Sequence, residues 1–369
     1  MFQCFDVLTS LQACLAAVLT CLNLRNEDKR SCNQKNARIE CETNVHRVLI
    51  LGTPESGKST LIKHMKIIYS HGFTKQELIS FKPAVLDNLL TNMKFVLHGM
   101  GMLRINLSNK KNKVHAHAVL SCKCCVGEDM ELLPFVAHSF CSLWGDLGIR
   151  AAVVRGHEFQ LNDSALYFFE NISRIITPNY IPTKTDVLRV RVRTHGVIET
   201  QFRVNNSLYR LYDVGGHCSE RKKWYSYFDS VQAVLFMVAL SGYDQNLDEN
   251  HSKNSLHESL EFFRSTCNSV FFRGASLVLF MNKIDLFAEK IVYSGRHLRL
   301  YQPDFKGSDR DVSCAAQYVT DQFLACATTS GKMLYSHFTN ATDPSSVHDA
   351  FQLTMSAIVK HNLQTISLL

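Results

Sequence analysis

The sequence predicts an α/β protein in which a mainly parallel sheet, with helices on both faces, is interrupted by an all-helical insert. A strand, a glycine-rich loop and a helix follow one another between His46 and Ile68. Downstream, apolar runs of strand length alternate with helical patterns, as in sheets built from crossover units. Between about Phe73 and Thr185 the pattern is helical almost throughout, so we expect a separate helical body there.

The amino-terminal segment Val7–Leu24 contains no charged residue, and its length is close to the minimum for a membrane-spanning helix. Its apolar residues recur at a spacing of three and four, which favours a helix lying in a membrane interface. Asp6, with no basic residue before Arg25, is untypical of a secretory signal. The alternatives are a membrane-spanning helix and a mispredicted start of the reading frame. If the helix spans the membrane, Arg25, Lys29 and Arg30 would lie on the cytoplasmic side.

The glycine-rich loop fits a phosphate-binding motif. Gly52, Gly57, Lys58 and Ser59 complete G-x4-G-K-S directly after a strand and before a helix. Glycines let backbone N–H groups wrap phosphates, the lysine neutralises phosphate charge, and the Ser59 hydroxyl binds magnesium. A glycine turn without a ligand is the alternative, and the flanking strand and helix argue against it.

The remaining elements are predicted from hydrophobic periodicity. Strands are expected at Thr200–Val204, Leu208–Tyr212, Ala233–Val238, Ser276–Met281 and Leu334–Phe338. Helices are expected at Leu61–Ile68, Lys75–Leu97, Asp163–Ile176, Leu256–Phe272 and Val347–His361.

A second motif ends the predicted strand that contains Leu208. Asp213 is followed by Val214, Gly215 and Gly216. The acid can hold magnesium through water, and a glycine N–H can meet a γ-phosphate. The alternative is a tight turn without a ligand.

A third motif specifies the base. Asn282, Lys283 and Asp285 form N-K-I-D after an apolar strand, where a carboxylate can accept two hydrogen bonds from the N–H edge of guanine. Adenine offers no such pair of donors, so the motif favours GTP over ATP. In isolation the tetrapeptide is equally compatible with a surface turn.

Composition restricts the function classes. With 46% hydrophobic and 20% charged residues, the chain can build sizeable cores and is not mainly disordered or fibrous. A net charge of +7 suits an anionic membrane surface, and no basic stripe predicts a nucleic-acid partner. Thirteen scattered cysteines are typical of reduced thiols. The densest group of soft ligands lacks the paired spacing of a structural zinc site: His115, His117, Cys122, Cys124 and Cys125.

These motifs, and landmarks spread from about Asn44 to the end of the chain, resemble heterotrimeric G-protein α subunits. The landmarks are GTPESGKSTLIKHMKII, DVLRVRVRTHGVIET, DVGG followed by SERKKW, HESLEFF, FMNKIDLF and HFTNATD, with LNDSA and PNYIPT in the insert. The resemblance implies a Ras-like P-loop GTPase domain with an inserted all-helical domain, and a nucleotide held between them. It implies an apolar extension at 1–26, the GTPase domain at 27–72 and 188–369, and the insert at 73–187.

The resemblance also implies roles in catalysis. Ser59 and Thr194 would bind Mg²⁺ directly, with Asp213 beside them. Arg191 would be a built-in arginine finger, because a permanently charged guanidinium can stabilise a transferring phosphoryl group. Glu55 would pair with Arg191 when the γ-phosphate is absent. An alternating strand with a solvated basic face is the alternative for the arginines of this segment.

Contacts with GTP or GDP are implied for a larger set. Leu188 and Arg189 would approach the ribose and the α-phosphate, and the N–H of Ala341 would meet the guanine carbonyl. Ala341 is preferred to the Cys326–Thr328 segment, because only it leaves the right length of chain for one terminal helix. The full set is Gly52, Glu55, Ser56, Gly57, Lys58, Ser59, Thr60, Asp163, Leu188, Arg189, Thr194, Asp213, Gly215, Gly216, Asn282, Lys283, Asp285 and Ala341.

The implied function is a GTP/GDP switch that couples a G-protein-coupled receptor to a downstream effector. The implied partners are a βγ dimer, receptor, effector and membrane surface, at the cytoplasmic face of the plasma membrane. The alternatives are a GTP-binding module with negligible hydrolysis that is constitutively loaded or sequesters βγ, and a P-loop ATPase. A competition between GTP and ATP separates the last from the others.

Several positions depart from the family's pattern. No Gly follows Met1, so palmitoylation at Cys4, Cys14 or Cys21 is expected rather than N-myristoylation. His217 stands where the family's Gln orients the attacking water, so we expect slower hydrolysis. The alternative is that His217 positions water itself or acts as a base.

Overall fold

The computed structural model describes residues 44–123, 132–204, 207–215, 231–246, 253–329 and 334–367. Its contacts divide the chain into two compact units. The helical unit is Phe73–Val192, and the sheet unit combines Cys41–Gly72 with Arg193–Leu369. The insert expected to end at residue 187 therefore continues to Val192, which assigns Arg191 to the helical unit. Within the described ranges no helix is both long and apolar enough to cross a membrane.

The sheet unit begins with strand β1 (Asn44–Gly52) and helix α1 (Lys58–Tyr69). Val48 and Ile50 of β1 belong to the core on one face of the sheet. Leu49 and Leu51 belong to the core on the other face. Because side chains alternate along a strand, a strand covered on both sides is apolar without interruption. This explains why this part of the sequence contains no polar alternation.

The helical unit follows. Its helices are α2 (Lys75–Ser80), α3 (Lys82–Leu103), α4 (Lys113–Ser121), α5 (Pro134–Trp144), α6 (Leu147–Val154), α7 (Ala165–Glu170), α8 (Ile172–Ile175) and α9 (Lys184–Arg189). They enclose one apolar core that includes Leu89, Phe140 and Phe168, each fully buried.

Two stretches of this unit differ from the prediction. Asp163–Ile176, expected as one helix, forms α7 and α8 with Asn171 between them. The stretch Lys75–Leu97, expected as a single helix, forms α2 and the start of α3 with Phe81 between them. Pro83 lies in the first turn of α3. Proline has no N–H and its ring clashes with the preceding helical turn, so it starts a helix and does not continue one.

The chain then returns to the sheet unit. Its elements are β2 (Val197–Val204), β3 (Ser207–Val214), β4 (Ala233–Ala239), α10 (Ser255–Cys267), β5 (Ser276–Asn282), α11 (Ile284–Tyr293), α12 (Val312–Thr329), β6 (Leu334–Thr339) and α13 (Pro344–Ser367). The described strands form one sheet in the order β2-β3-β1-β4-β5-β6. Only β2 runs antiparallel to its neighbour, and the other neighbours in this sheet are parallel.

The strand order changes direction at β1, which lies between β3 and β4. Ile50 of β1 is opposite Asp213 of β3, and Gly52 is opposite Met237 of β4. Ligands of open α/β sheets bind beyond the carboxyl ends of the strands at such a switch point. The fold therefore brings the loops after β1, β3 and β5 to the same edge of the sheet.

Candidate nucleotide-binding site

The phosphate loop depends on two glycines with left-handed backbones. Gly52 has φ +146, and a Cβ there would lie 2.3 Å from the carbonyl oxygen of Met237. Gly57 has φ +102, and a Cβ there would lie 2.2 Å from Nδ2 of Asn282. No side chain fits either position, so glycine is required at both for conformation and for space.

The loop folds around the ammonium group of Lys58. This buried side chain donates to the carbonyl of Gly52 at 2.9 Å and to that of Thr53 at 2.8 Å. Ser56 is also buried, and its hydroxyl donates to Thr53 at 2.9 Å. Glu55 is exposed and has φ +59. The loop thus places a positive charge beside the start of a helix, an arrangement suited to phosphate.

Three side-chain oxygens from separate parts of the chain lie together next to this loop. Ser59 Oγ of α1 lies 2.7 Å from Thr194 Oγ1 and 2.7 Å from Asp213 Oδ2. Because the Ser59 hydroxyl donates to Asp213, the Thr194 hydroxyl must donate to Ser59. The sequence motif supplied Ser59 and Asp213, and the resemblance supplied Thr194. The structure brings all three together, and Thr60 follows Ser59 in α1.

The Asp213 carboxylate fits a divalent cation. Asp213 is 1% exposed, and its Oδ1 has no hydrogen-bond partner among the described residues. Burial raises the pKa of Asp213, while Lys58, Ser59 and Lys63 oppose that rise. An unpartnered buried carboxylate oxygen is costly, and hydroxyl and carboxylate oxygens are the ligands that Mg²⁺ prefers. The donor set therefore suits Mg²⁺ or water bound to it.

The segment after β3 is only partly described. The N–H of Gly215 donates to the carbonyl of Gly196 at 3.1 Å, which ties the end of β3 to the turn before β2. Gly216 and His217 lie outside the described residues. Their expected contacts with the γ-phosphate and the attacking water stay predictions.

Asn282 joins the phosphate loop to the loop between β6 and α13. It is 1% exposed at the end of β5, and its Nδ2 donates to the Ser56 carbonyl at 2.8 Å. Its Oδ1 accepts from the N–H of Ala341 at 2.9 Å. Asn282 therefore fixes two loops relative to each other. The expected contact between the Ala341 N–H and a guanine carbonyl stays a prediction.

The rest of N-K-I-D begins α11. Lys283 has φ +61 and precedes the first helical residue, and Asp285 is exposed in the first turn. A carboxylate in the first turn of a helix is favoured by the helix dipole. The position leaves Asp285 accessible to a ligand on the sheet unit.

Sequence reasoning missed His64. This histidine is 1% exposed in α1, and its Nδ1 lies 2.9 Å from the carbonyl oxygen of Ala341. A ring N–H is the only donor that can make this contact, so Nδ1 carries the proton. No sequence motif could reveal it, because the partner is a backbone atom 277 positions away. The competing Cys326–Thr328 segment lies inside α12.

The helical unit carries the other expected site residues. The Arg189 guanidinium lies 4.9 Å from the ring centre of Tyr167, and its buried Nε has no hydrogen-bond partner among the described residues. Leu188 is buried, and Asp163 is half-buried before α7. Arg191 is exposed, and its backbone is hydrogen-bonded to Asn88.

The group of soft ligands is only partly described, since Cys124 and Cys125 lie outside the described residues. The described His115 contacts the Ser139 hydroxyl at 3.0 Å and packs against the ring of His138. In the part of the chain that the structure covers, no three His, Cys, Asp or Glu side chains form a group that could hold a metal ion.

Comparison with known proteins decides the family. The model of the G-protein alpha subunit family matches residues 24–358, which is most of the chain. The chain belongs to the G-protein α-subunit family. The fold agrees, because members combine a Ras-like GTPase domain with a helical domain, as do the six-stranded sheet and the helical unit here.

Named relatives cover nearly the full length of this G-protein α subunit. It is 43% identical over 326 residues to the guanine nucleotide-binding protein G(o) subunit alpha of Geodia cydonium, covering 88% of this chain and 91% of the relative. It is 38% identical over 345 residues to the guanine nucleotide-binding protein alpha-1 subunit of Neurospora crassa, covering 94% and 96%. A guanine nucleotide-binding protein subunit alpha of Pyricularia oryzae shows the same identity and coverage. The family binds guanine nucleotides and its members are in general GTPases.

Proposed function

We infer that this G-protein α subunit is a GTP/GDP switch that couples a membrane receptor to effectors and hydrolyses GTP by in-line attack of water. The observation that carries the proposal is that Ser59 Oγ, beside the phosphate loop, lies 2.7 Å from both Thr194 Oγ1 and Asp213 Oδ2. These residues come from distant parts of the chain, and their oxygens match the ligands of a magnesium-bound nucleotide.

Ser59 and Thr194 would hold Mg²⁺ directly, and Asp213 would hold it through water. When bound, the ion supplies positive charge that offsets the charge of the phosphate oxygens. Lys58 adds a second positive charge inside the loop, and the backbone N–H groups of the loop wrap the phosphates. Asp285 would select guanine by accepting two hydrogen bonds from its N–H edge.

The same residues support a switch. Thr194 and the Gly215–Gly216 pair follow or precede strands of the sheet unit, and their contacts with Mg²⁺ and the γ-phosphate would end when that phosphate leaves. Loss of these contacts releases the segments that carry them. A changed surface would then be presented to the βγ dimer, the receptor and the effector.

Hydrolysis would combine two separate contributions. Arg191 would stabilise charge that develops on the transferring phosphoryl group. The residue at position 217 would orient the attacking water, and histidine performs this less well than an amide because its two nitrogens lie on opposite sides of a rigid ring. A GTP-binding module with negligible hydrolysis is therefore the second candidate function, favoured by His217.

Membrane association would place this switch at the cytoplasmic face of the plasma membrane. Its support is the apolar amino-terminal segment with Cys4, Cys14 and Cys21 nearby. An amphipathic helix with acylated thiols gives the two signals that stable anchoring requires.

The test measures displacement of a fluorescent GDP analogue from the purified full-length protein by GTP and by ATP, with and without magnesium. We expect GTP to compete at least about a hundredfold better than ATP, because a site built for specific hydrogen bonds rejects a base that leaves them unpaired. Equal competition would exclude a guanine-specific switch. Single-turnover hydrolysis of GTP by the same preparation separates the active enzyme from the binding module.

A further inference from the structure

Asn88 of α3 is half-buried, and its side-chain amide contacts the backbone of Arg191. Its Oδ1 accepts from the Arg191 N–H at 2.8 Å, and its Nδ2 donates to the Arg191 carbonyl at 2.9 Å. Nδ2 also donates to the carbonyl of Ala84, one turn earlier in the helix, at 2.9 Å. Both residues belong to the helical unit, although 103 positions separate them in the chain.

These three partners determine the orientation of the amide. If the amide were reversed, its oxygen would face two carbonyl oxygens and its NH₂ group would face an N–H. A primary amide presents a donor and an acceptor with the spacing of a peptide group, so it can pair with one residue as a neighbouring strand would. The Asn88 side chain thus bonds both backbone polar groups of Arg191.

The residues on either side of Arg191 also hold its backbone in place, and we call the hydrogen bonds between Asn88 and the Arg191 backbone the anchor. Val190 is 3% exposed in the core of the helical unit, and Val192 packs against the same core. Side chains alternate in an extended segment, so Arg191, which is exposed, points away from that core. The backbone of Arg191 is therefore held by the core on one side and by Asn88 through hydrogen bonds.

We propose that Asn88 is a positioning residue for the arginine finger. By holding the Arg191 backbone against α3, it sets the point from which the guanidinium extends to the transferring phosphoryl group. This inference rests on the proposed GTPase function and on the role of Arg191 in it. A charged group stabilises a transition state only when it is held close to its productive position, and small displacements are costly in rate.

The anchor also assigns the finger to one unit. The boundary between the units falls between Val192 and Arg193, so Arg191 belongs to the helical unit, whereas Thr194 belongs to the sheet unit. The arginine and the expected magnesium ligand are three positions apart and are carried by different bodies.

The test uses the full-length protein with Asn88→Ala, which removes all three bonds, and Asn88→Asp, which keeps the shape but loses both donors. Thr91→Ala is the matched control, since Thr91 is an exposed residue one turn further along α3. Hydrogen exchange of the Arg191 amide, single-turnover GTP hydrolysis and GDP affinity are measured for each variant.

Asn88→Ala should exchange the Arg191 amide at least about tenfold faster, whereas Asn88→Asp keeps an acceptor for that N–H and should change its exchange less. Asn88→Ala should hydrolyse GTP about tenfold more slowly, and Asn88→Asp should also be slower, because the Arg191 backbone is no longer held at both of its polar groups. GDP affinity should stay within about twofold, because uniform nucleotide binding does not use the finger. Thr91→Ala should leave all three quantities unchanged. An Arg191 amide that exchanges at the parental rate in Asn88→Ala would overturn the anchor.

A double-mutant cycle with Arg191→Ala isolates the coupling. In the Arg191→Ala background, Asn88→Ala should slow hydrolysis no further. An equal slowing in both backgrounds would mean that Asn88 acts elsewhere, and would overturn the proposal. The cycle is repeated with His217→Gln so that a slow parental rate does not hide the effect.

If the parental protein does not bind GTP, the proposed function itself is wrong, and the affinity measurement shows this independently of the Asn88 variants. If Arg191→Ala leaves hydrolysis unchanged, the finger assignment and the Asn88 proposal both fail while GTP binding stands. If Arg191→Ala slows hydrolysis and Asn88→Ala does not, only the Asn88 proposal is overturned.

Discussion

Asp285 is exposed in the first turn of α11, next to Lys283 with its left-handed backbone. Asn282, from the same motif, is buried and bonds to Ser56 and Ala341. The residues of this motif therefore have different roles. Asn282 holds two loops together inside the protein, whereas Asp285 is exposed, where the proposed function has its carboxylate bind guanine.

We predict that Asp285→Asn weakens GDP binding about tenfold or more, because an amide cannot accept two hydrogen bonds from the guanine N–H edge. Preference should shift toward xanthine nucleotides, whose edge offers an acceptor to the new NH₂ group. Displacement titrations with GDP and xanthosine diphosphate measure both effects. Glu289→Gln, an exposed acidic residue one turn later, is the control. Unchanged GDP affinity would make Asp285 an ordinary surface residue.

His217→Gln should raise the single-turnover rate of GTP hydrolysis at least about tenfold, which corresponds to about 1.4 kcal/mol of barrier. The amide oxygen can accept a hydrogen bond from the attacking water while the adjacent NH₂ donates to the γ-phosphate, which the opposed nitrogens of imidazole cannot do. GTP affinity should not change. A rate that is equal or lower at saturating magnesium would show that His217 already serves the chemistry.

At the scale of elements, α9 leads directly into Arg191 and is held by one buried carboxylate. Asp186 accepts from Arg174 at 2.7 and 2.8 Å, from Tyr167 at 2.7 Å and from Tyr180 at 2.8 Å. It also accepts from the N–H of Thr183 at 2.7 Å, which completes a capping box at the start of α9. Burial alone would raise the Asp186 pKa, but these hydrogen bonds hold it at about 2.

The direction of the pH effect follows from this shift. The pKa of Asp186 lies below the value of 3.8 expected without the fold, so its ionised form stabilises the folded state. That contribution is complete above about pH 5 and is lost as the pH falls toward 2. The helical unit should therefore lose protection in this acid range.

Asp186→Asn should lower the free energy of unfolding of the helical unit by about 2 to 4 kcal/mol at pH 7, because Arg174 loses its charge partner and buried donors lose an acceptor. Hydrogen exchange in the helices of this unit measures the loss, and the variant should show a flatter acid dependence. Glu158→Gln, which removes an exposed ion pair with Arg155, should have a much smaller effect, because solvent screens an exposed pair. Equal effects of the two variants would contradict the importance of the buried network.

At the scale of the whole molecule, two units divide the functional groups. The sheet unit carries the phosphate loop, the expected magnesium ligands and the guanine motif, and the helical unit carries Arg189 and Arg191. The amino-terminal segment adds the expected attachment to a membrane.

Deletion of Met1–Leu24 should move the protein from the membrane fraction to the soluble fraction, because the apolar helix and the three thiols are removed together. Sedimentation with vesicles in the absence of a βγ dimer measures this. Replacing Cys4, Cys14 and Cys21 by serine separates acylation from the helix. A truncated protein that still sediments with membranes would place the anchor elsewhere.

Most elements of the fold could be predicted because their signals are local. The strand and helix at the phosphate loop were confirmed, as were the apolar strands that build the sheet. Boundaries were less accurate: Lys75–Leu97 is divided at Phe81, and the run expected to continue as helix to Phe272 ends at Cys267. Hydrophobic periodicity shows which face of a helix is apolar. It does not locate the end of a helix where a proline or a capping residue interrupts the backbone.

The sequence by itself determined the family, the phosphate loop and the guanine motif of this protein, because each motif is a run of neighbouring residues whose chemistry depends on their spacing. Only the tertiary structure decided which distant groups share a bond: Ser59 with Thr194, His64 with Ala341, and Asn88 with Arg191. These partners are 135, 277 and 103 positions apart. The physical reason is that strand order and helix packing determine which distant residues come into contact. No local pattern of residue types predicts these contacts.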